Sequence, residues 1–353
     1  MLNKSKIALS ILLRSVKNFF SQSRLFYVVE NADWSIKHDG LSITKNLKLA
    51  SSITTTHYGI RNSIIHYGSI NTFIHGKKGL RLPHKSNRIV LTWFHIAPND
   101  SRVKYIPEAV KYVDLWHTSC ALTKKKLIQL GVPADKIVQI PLGVNLNFFS
   151  PAKAKEHLIL KKQFSIPDGK VVVGSYQKDG NGWKEGLIPK LIKGPDVFCD
   201  IVENLAKNKD IFVLLTGPAR GYVKKCLDKA GISYHHDFLK NPNDVSLYYK
   251  MTDIYIVASR EEGGPKQILE SMASGVPIVS TRVGMAPDVI IDGKNGFIVD
   301  VEDVKALTQR VIQILDNDHL RRNMIEEGLK TARQYDWSII AQQYAKNIYQ
   351  VLK

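Results

Sequence analysis

Residues 254–281 read IYIVASREEGGPKQILESMASGVPIVST. Two short apolar runs, Ile254–Ser259 and Pro277–Thr281, enclose a helical pattern over Lys266–Ser274. Runs rich in Val and Ile at this length suit strands buried on both faces, as in a parallel sheet. Strand, helix and strand make a βαβ unit, and the pattern continues outward. Lys170–Tyr176 (KVVVGSY) and Ile211–Gly217 (IFVLLTG) predict further strands. A helix over Asp196–Lys207 separates them, and another runs to Ala230. The predicted fold class is α/β with a doubly wound parallel sheet.

The first half repeats the theme more loosely. Phe26–Glu30, Ile89–Phe94, Asp114–Ser119 and Lys136–Pro141 predict strands, and Ile106–Val113 and Thr123–Leu130 predict helices. Leu142–Lys153 (LGVNLNFFSPAK) has the polar, proline-containing character of a linker. At 353 residues with 44% apolar content, the chain can bury two cores of ordinary size. Residues 1–145 and 146–340 are expected as two Rossmann-like domains, with 341–353 a helix that packs back on the first.

The net charge of +18 is unevenly spread. Residues 1–150 hold 21 Lys and Arg against 7 Asp and Glu, whereas residues 151–353 hold 29 against 25. The first half therefore suits an anionic partner: an anionic membrane, nucleic acid or a phosphate-bearing substrate. A basic surface kept for solubility reads the same way. Cys120, Cys199 and Cys226 are widely spaced with no CxxC, which argues against a disulfide framework or a zinc site and fits a reducing cytoplasm. No apolar run is long enough to span a bilayer, and the N-terminal apolar stretch is broken by Arg14 with no cleavage site after it. Ile7, Ile11, Leu12, Ser15 and Phe19 recur at helical spacing among basic residues, with no acid before Glu30. This predicts a helix that lies on an anionic membrane or packs on its own domain.

The chemistry concentrates in Ser259–Gly275. Gly263 and Gly264 let a ligand approach the backbone, and Pro265 suits a helix start whose free N–H groups attract anions. Glu262 precedes the glycines and Glu270 follows eight residues later on the helix. Two carboxylates so placed suit a hydroxyl-rich ligand. This segment resembles the E-x7-E signature of glycosyltransferase family 4 (group 1), here E-GGPKQIL-E followed by a Gly-Val-Pro turn. GVPIVSTRVGMAPDVI, the turn DGKNGF and the linker LGVPADKIVQIPLGVNLNFFSP also resemble that family. The resemblance runs from about Asp114 to the end and implies the GT-B fold, two Rossmann-like domains facing a cleft.

It further implies a retaining glycosyltransferase, of hexosyltransferase class, that uses a nucleotide-sugar donor and no metal or other cofactor. Glu270 would bind ribose hydroxyls, Glu262 the donor sugar, and the N–H groups of Gly263 and Gly264 the sugar or phosphate. Lys193, in KLIKGPDVF, would meet the diphosphate. Glu262 and His95, in VLTWFHIAP, are the candidate catalytic residues. The chain departs from the family at two places. The arginine usually found before the lysine is missing from the longer GSYQKDGNGWKEGLIPKLIKG, where Lys178 is the candidate substitute. In place of a glycine-rich turn after the first strand stands VVENADWSIKHDG, whose Asn31, Asp33 and Asp39 are candidates for the acceptor.

No metal site is evident, and Asp316–Asp318 reads as a turn between helices. The expected partners are a nucleotide-sugar donor, a glycan or lipid-linked acceptor and an anionic membrane surface, at the cytoplasmic face of the cell membrane. No nucleic acid is expected, since the basic residues are not interleaved with a stacking platform. The alternatives are a sugar phosphorylase or epimerase on the same fold, or a non-catalytic binder of nucleotide sugar or nucleic acid.

Overall fold

The structure is a computed structural model and describes residues 4–32, 35–76, 79–97 and 99–352. The chain divides into two compact units, Met1–Gly143 with Trp337–Lys353, and Val144–Asp336. Each is built on one six-stranded sheet in which every pairing is parallel.

In the first unit the strands are β1 (Leu25–Val28), β2 (Ser51–Thr54), β3 (Ile64–Tyr67), β4 (Arg88–Thr92), β5 (Leu115–Thr118) and β6 (Ile137–Gln139). Their order is β2-β1-β3-β4-β5-β6, so the chain reverses direction of growth between β1 and β3. Strands β2 and β3 were not expected. SSIT carries three hydroxyls and IIHY a histidine, so neither reads as an apolar run. Two helices flank β1: α1 (Lys4–Phe19) before it and α2 (Ser35–Lys45) after it, the latter beginning within the stretch that stands in place of a glycine-rich turn. Cys120 is fully buried and caps the helix Ala121–Gln129, its sulfur accepting from Thr123 N.

The chain returns to the first unit at Trp337, earlier than the expected 341, because the Trp337 ring packs where a Cβ on Gly143 would stand, 2.6 Å away. The helix Trp337–Tyr344 runs into a π turn, Ala345–Tyr349, closed by Gln350 N donating to Ala345 O. The wider turn brings Tyr344 and Tyr349, five residues apart, to one face. There they meet two fully buried histidines. The Tyr349 hydroxyl lies 2.7 Å from His66 Nδ1, His66 Nε2 lies 2.7 Å from Thr92 Oγ1, and Thr92 Oγ1 lies 2.9 Å from His117 Nδ1. His117 Nε2 approaches the Ile140 carbonyl and the Tyr344 hydroxyl, both at 3.0 Å.

Since the carbonyl can only accept, His117 Nε2 carries a proton and the polarity of the chain follows. Tyr349 donates to His66, His66 to Thr92, Thr92 to His117, and His117 to Ile140. Every member is satisfied with both imidazoles neutral. Burial holds His66 well below its ordinary value and lowers His117 to about 4.

The second unit holds β7 (Val171–Tyr176), β8 (Ile211–Thr216), β9 (Tyr234–Asp237), β10 (Ile254–Val257), β11 (Ile278–Thr281) and β12 (Phe297–Val299). The order is β12-β11-β10-β7-β8-β9, which places the reversal between β7 and β10. The unit is closed by its own ends. Val144 N donates to Tyr335 O, and Val144 bridges to Asp336. The helices Pro195–Ala206 and Val304–Asp316 pack Val197, Ile201, Leu205, Leu307 and Val311 on one face of the sheet.

The neutral relay gives the first unit a pH-dependent stability. Between 6.5 and about 4 the unfolded chain protonates His117 while the folded chain does not, so stability is complete above 6.5 and falls with pH through that window. Urea unfolding of the first unit should show a lower midpoint at pH 5 than at pH 7.5. The variant Tyr349→Phe should lose about 1–3 kcal/mol at neutral pH by leaving His66 Nδ1 without its donor.

Candidate functional site

Ligands of doubly wound sheets sit at the carboxyl ends of the strands where the order reverses. In the second unit that point lies between β7 and β10, and the segments leaving those strands carry the predicted residues. The segment after β7 ends in Lys193-Gly194-Pro195, and the segment after β10 is Ser259–Gly264.

Gly194 lets the two segments meet. It adopts φ +62°, and a Cβ there would fall 1.9 Å from the Ala258 carbonyl oxygen. Only glycine has both the conformation and the space. The backbones are then tied by Arg260 N and Glu261 N, which both donate to Ile192 O. Arg260 turns its guanidinium away, onto Asp196 at 2.6 and 2.8 Å and Glu302 at 2.5 Å.

With the loops joined, Lys193 Nζ stands 2.5 Å from Glu262 Oε1, and Ser259 Oγ donates to the same oxygen at 3.0 Å. The two residues assigned to different parts of a ligand thus form one ion pair, with Glu262 buried and Lys193 half-buried. Glu270 is separate. It lies on the helix Gln267–Ala273 and accepts from the Tyr249 hydroxyl at 3.2 Å. Beside it, Gln267 donates to the Tyr176 carbonyl at the end of β7. Tyr249 is buried and its phenol is pushed far above its ordinary value, so it remains a neutral donor.

That helix starts two residues after Pro265 and is only seven residues long, so its dipole is a small part of the site's positive field. The lysines supply most of it. Lys178, the expected substitute for the missing arginine, lies over the Trp183 ring at 3.7 Å. Lys190 was not singled out from the sequence. It is half-buried, and burial together with the charges of Lys193 and Lys178 lowers its pKa, while Glu262 opposes the shift. Lys190 thus feels two other ammonium groups against one carboxylate, a balance that suits an anionic ligand. The signal was the repeat of lysine three residues apart in KLIK.

The long segment after β7 is a small hairpin. Asn181 N donates to Ile188 O and Lys190 N to Asp179 O. The hairpin sits on the start of the helix Gly221–Ala230, where Gly221 and Tyr222 donate to the carbonyls of Glu185 and Gly186. Beneath it Arg220 is fully buried and donates to the carbonyls of Ser175, Gln177 and Thr216. Its Nε lies 3.0 Å from Asp179 Oδ1 in a fully buried ion pair. Burial pushes the Asp179 carboxyl up, against the pull of Arg220. An arginine does stand at the end of β7, therefore, but as a brace.

His95 belongs to the first unit, just past β4, half-buried beside Asp100. Asn31 accepts from Arg14 at 3.3 Å. Asp39 is buried within α2, close to Tyr27, so it is not at a ligand surface. Asp33 lies outside the described residues. Among the described residues no three His, Cys, Asp or Glu cluster in a way that could hold a metal ion. Asp316 and Asp318 flank Asn317, which caps a helix, and they pair with Lys209 and Arg321.

Residues 188–331 match the family model of glycosyl transferases group 1. The second unit is therefore similar to the group 1 glycosyltransferases. The match covers the segments that carry Lys190, Lys193, Glu262 and Glu270. The chain is also 28% identical over 220 residues to a D-inositol 3-phosphate glycosyltransferase of Corynebacterium urealyticum, covering 59% of this chain and 50% of that one. It is 28% identical over 220 residues to a phosphatidyl-myo-inositol mannosyltransferase of Mycobacterium leprae, covering 61% and 54%. The chain spans about half the length of the curated relatives it matches. Anabaena HepE, solved with UDP-glucose, superimposes with a TM-score of 0.76 at 14% identity over 93% of this chain and 100% of that one. This likeness shows the GT-B fold.

The site depends on the contact at Gly194. Gly194→Ala should destabilise the second unit by about 1–3 kcal/mol, the cost of a strained left-handed residue, and more where the carbonyl cannot move away. Thermal unfolding measures it.

Proposed function

We propose that the chain transfers a sugar from a nucleoside diphosphate sugar to a hydroxyl of a lipid-linked or polysaccharide acceptor, with retention of configuration. The observation that carries this reading is the Lys193–Glu262 pair at the β7/β10 reversal, with Lys178 and Lys190 in electrostatic reach. A diphosphate entering the site draws Lys193 from Glu262. The lysines then meet the charge that builds on the leaving group as the glycosidic bond breaks. Glu262, released, accepts hydrogen bonds from the donor sugar, and Glu270 accepts from the ribose. Gly263 and Gly264 present backbone N–H groups to the sugar or phosphate.

Retention fits a front-side route, in which the leaving phosphate oxygen takes the proton of the attacking hydroxyl on the face it vacates. His95 is the first unit's candidate catalytic residue, with the Asp100 carboxylate beside its ring. The UDP-glucose bound to the similar HepE supports a nucleotide-sugar donor. The names of the inositol phosphate and phosphatidylinositol enzymes support a phosphorylated or lipid-linked acceptor. Among the described residues no helix is long and apolar enough to cross a membrane. The basic first unit suits a peripheral seat on the anionic inner leaflet of the cell membrane.

A thermal-shift panel of nucleoside diphosphates and their sugars tests the reading. A true donor at about 100 times its Kd should add about 2.7 kcal/mol of stability. Glu270→Ala should weaken nucleotide binding by roughly 10- to 100-fold, the worth of a hydrogen bond to a charged group, while Glu262→Ala should chiefly lower kcat. Stabilisation by none of the panel, or full activity in either variant, rejects the assignment.

In this reading the three lysines neutralise the diphosphate in place of a divalent cation. Transferase activity should therefore persist in EDTA. Loss on chelation that manganese or magnesium restores would place a metal in the reaction.

A further inference from the structure

The helix α1 is seated the reverse of an ordinary amphipathic helix. Its polar side faces the first unit. Asn18 is buried and its amide donates to the carbonyls of Thr56 and Tyr58, both at 3.0 Å. Contact is so close there that a Cβ on Gly59 would lie 2.2 Å from the Ser15 carbonyl oxygen. The apolar side faces out. Leu9, Leu12, Leu13, Val16 and Phe19, with Phe20 just beyond, are 48–77% exposed. Burying the polar face and presenting six large apolar side chains leaves a contiguous patch of the kind that marks a binding surface. Exposed Lys6 and Lys17 accompany it, and the sequence has no acid before Glu30. An anionic bilayer answers both the apolar face and the charge.

Beneath α1 lies a cavity of about 510 Å³ at the carboxyl ends of β1 and β2. Arg14, Lys17 and Lys37 line it, with Asn31, Thr55 and, among the described residues, one acid, Glu30. Arg14 is fixed in the wall by bonds to Thr55 and Asn31. The volume suits a small head group, and the excess of cations suits an anion with several acceptor oxygens. The cavity is shaped by a helix that precedes the first strand, so α1 contributes to the membrane face and to the pocket at once.

We propose that α1 and this cavity form one site for a phosphate carried on a lipid: the apolar face of α1 enters the bilayer surface, and the cavity takes the phosphate. An interfacial helix lies at the boundary between head groups and acyl chains, which puts its polar side at the level of lipid phosphates. The proposal rests on the reading of the acceptor as lipid-linked.

Vesicle co-sedimentation of the full chain tests it, using phosphatidylcholine alone and with phosphatidylglycerol or phosphatidic acid at matched surface charge. Binding should require anionic lipid and be stronger for phosphatidic acid, whose phosphate is unblocked. The double variant Leu12→Ser, Leu13→Ser should lose binding to every vesicle. Lys17→Gln, on the exposed rim, and Arg14→Gln should each weaken phosphatidic acid binding about fivefold and bring it toward that of phosphatidylglycerol. Lys17→Gln answers the question even if Arg14→Gln fails to fold.

Equal sedimentation with neutral and anionic vesicles overturns the proposal, as does wild-type preference for phosphatidic acid in Lys17→Gln. Millimolar inorganic phosphate that displaces the chain from phosphatidic acid would make this a soluble-phosphate site and also overturn it. So would a wild-type dimer that the double variant converts to monomer, since a second copy would then cover α1. Nucleotide binding measured on the same variants should be unchanged, so failure here is distinguishable from failure of the donor reading.

Discussion

The donor-side site turns on a single steric allowance. Where β7 and β10 part, two loops must come together closely enough for an ammonium and a carboxylate to touch, and the backbone at residue 194 lies against a carbonyl oxygen to permit it. From that contact follow the paired N–H donations to Ile192, the outward turn of Arg260 and the meeting of Lys193 with Glu262. Side-chain attraction alone could not hold such a geometry. Lys193 is partly exposed, so its bond to Glu262 can be exchanged for one to a better partner. The backbone carries the precision, which leaves the side chains free to change partners when an anion arrives.

The site is stiff beneath and adaptable above. Arg220 is spent on three carbonyls and a buried carboxylate, and the hairpin after β7 closes over the first turn of the next helix. The lysines on the upper surface repel one another. A buried guanidinium as a brace and half-buried ammonium groups as contacts is a division suited to the two side chains, since the planar fork satisfies several fixed carbonyls and the flexible stem of lysine can follow a ligand.

The apolar strands of the second unit were legible because they are buried on both faces and carry no polar residue to break the run. SSIT, IIHY and YHHD were not, because their polar side chains find partners outside their own runs: His66 depends on Tyr349, and Asp237 on Tyr248. At the site, the spacing of Glu262 and Glu270 and the KGP turn could be read directly. The roles of Lys178 and Lys190 could not, since Trp183 captures the first and only the folded hairpin brings the second beside Lys193. Nor could Arg220 be read as the arginine at the end of β7, because it arrives from the strand beside it.

The buried relay from Tyr349 to Ile140 bears on synthesis. The sheet of the first unit is made early, yet His66 and His117 gain their tyrosine partners only from residues that follow the whole second unit. As the chain leaves the ribosome, the second unit has every strand it needs while the first still exposes an incomplete polar core. The unit made first is therefore the one finished last, and its open face is the nascent chain's natural point of call for a chaperone.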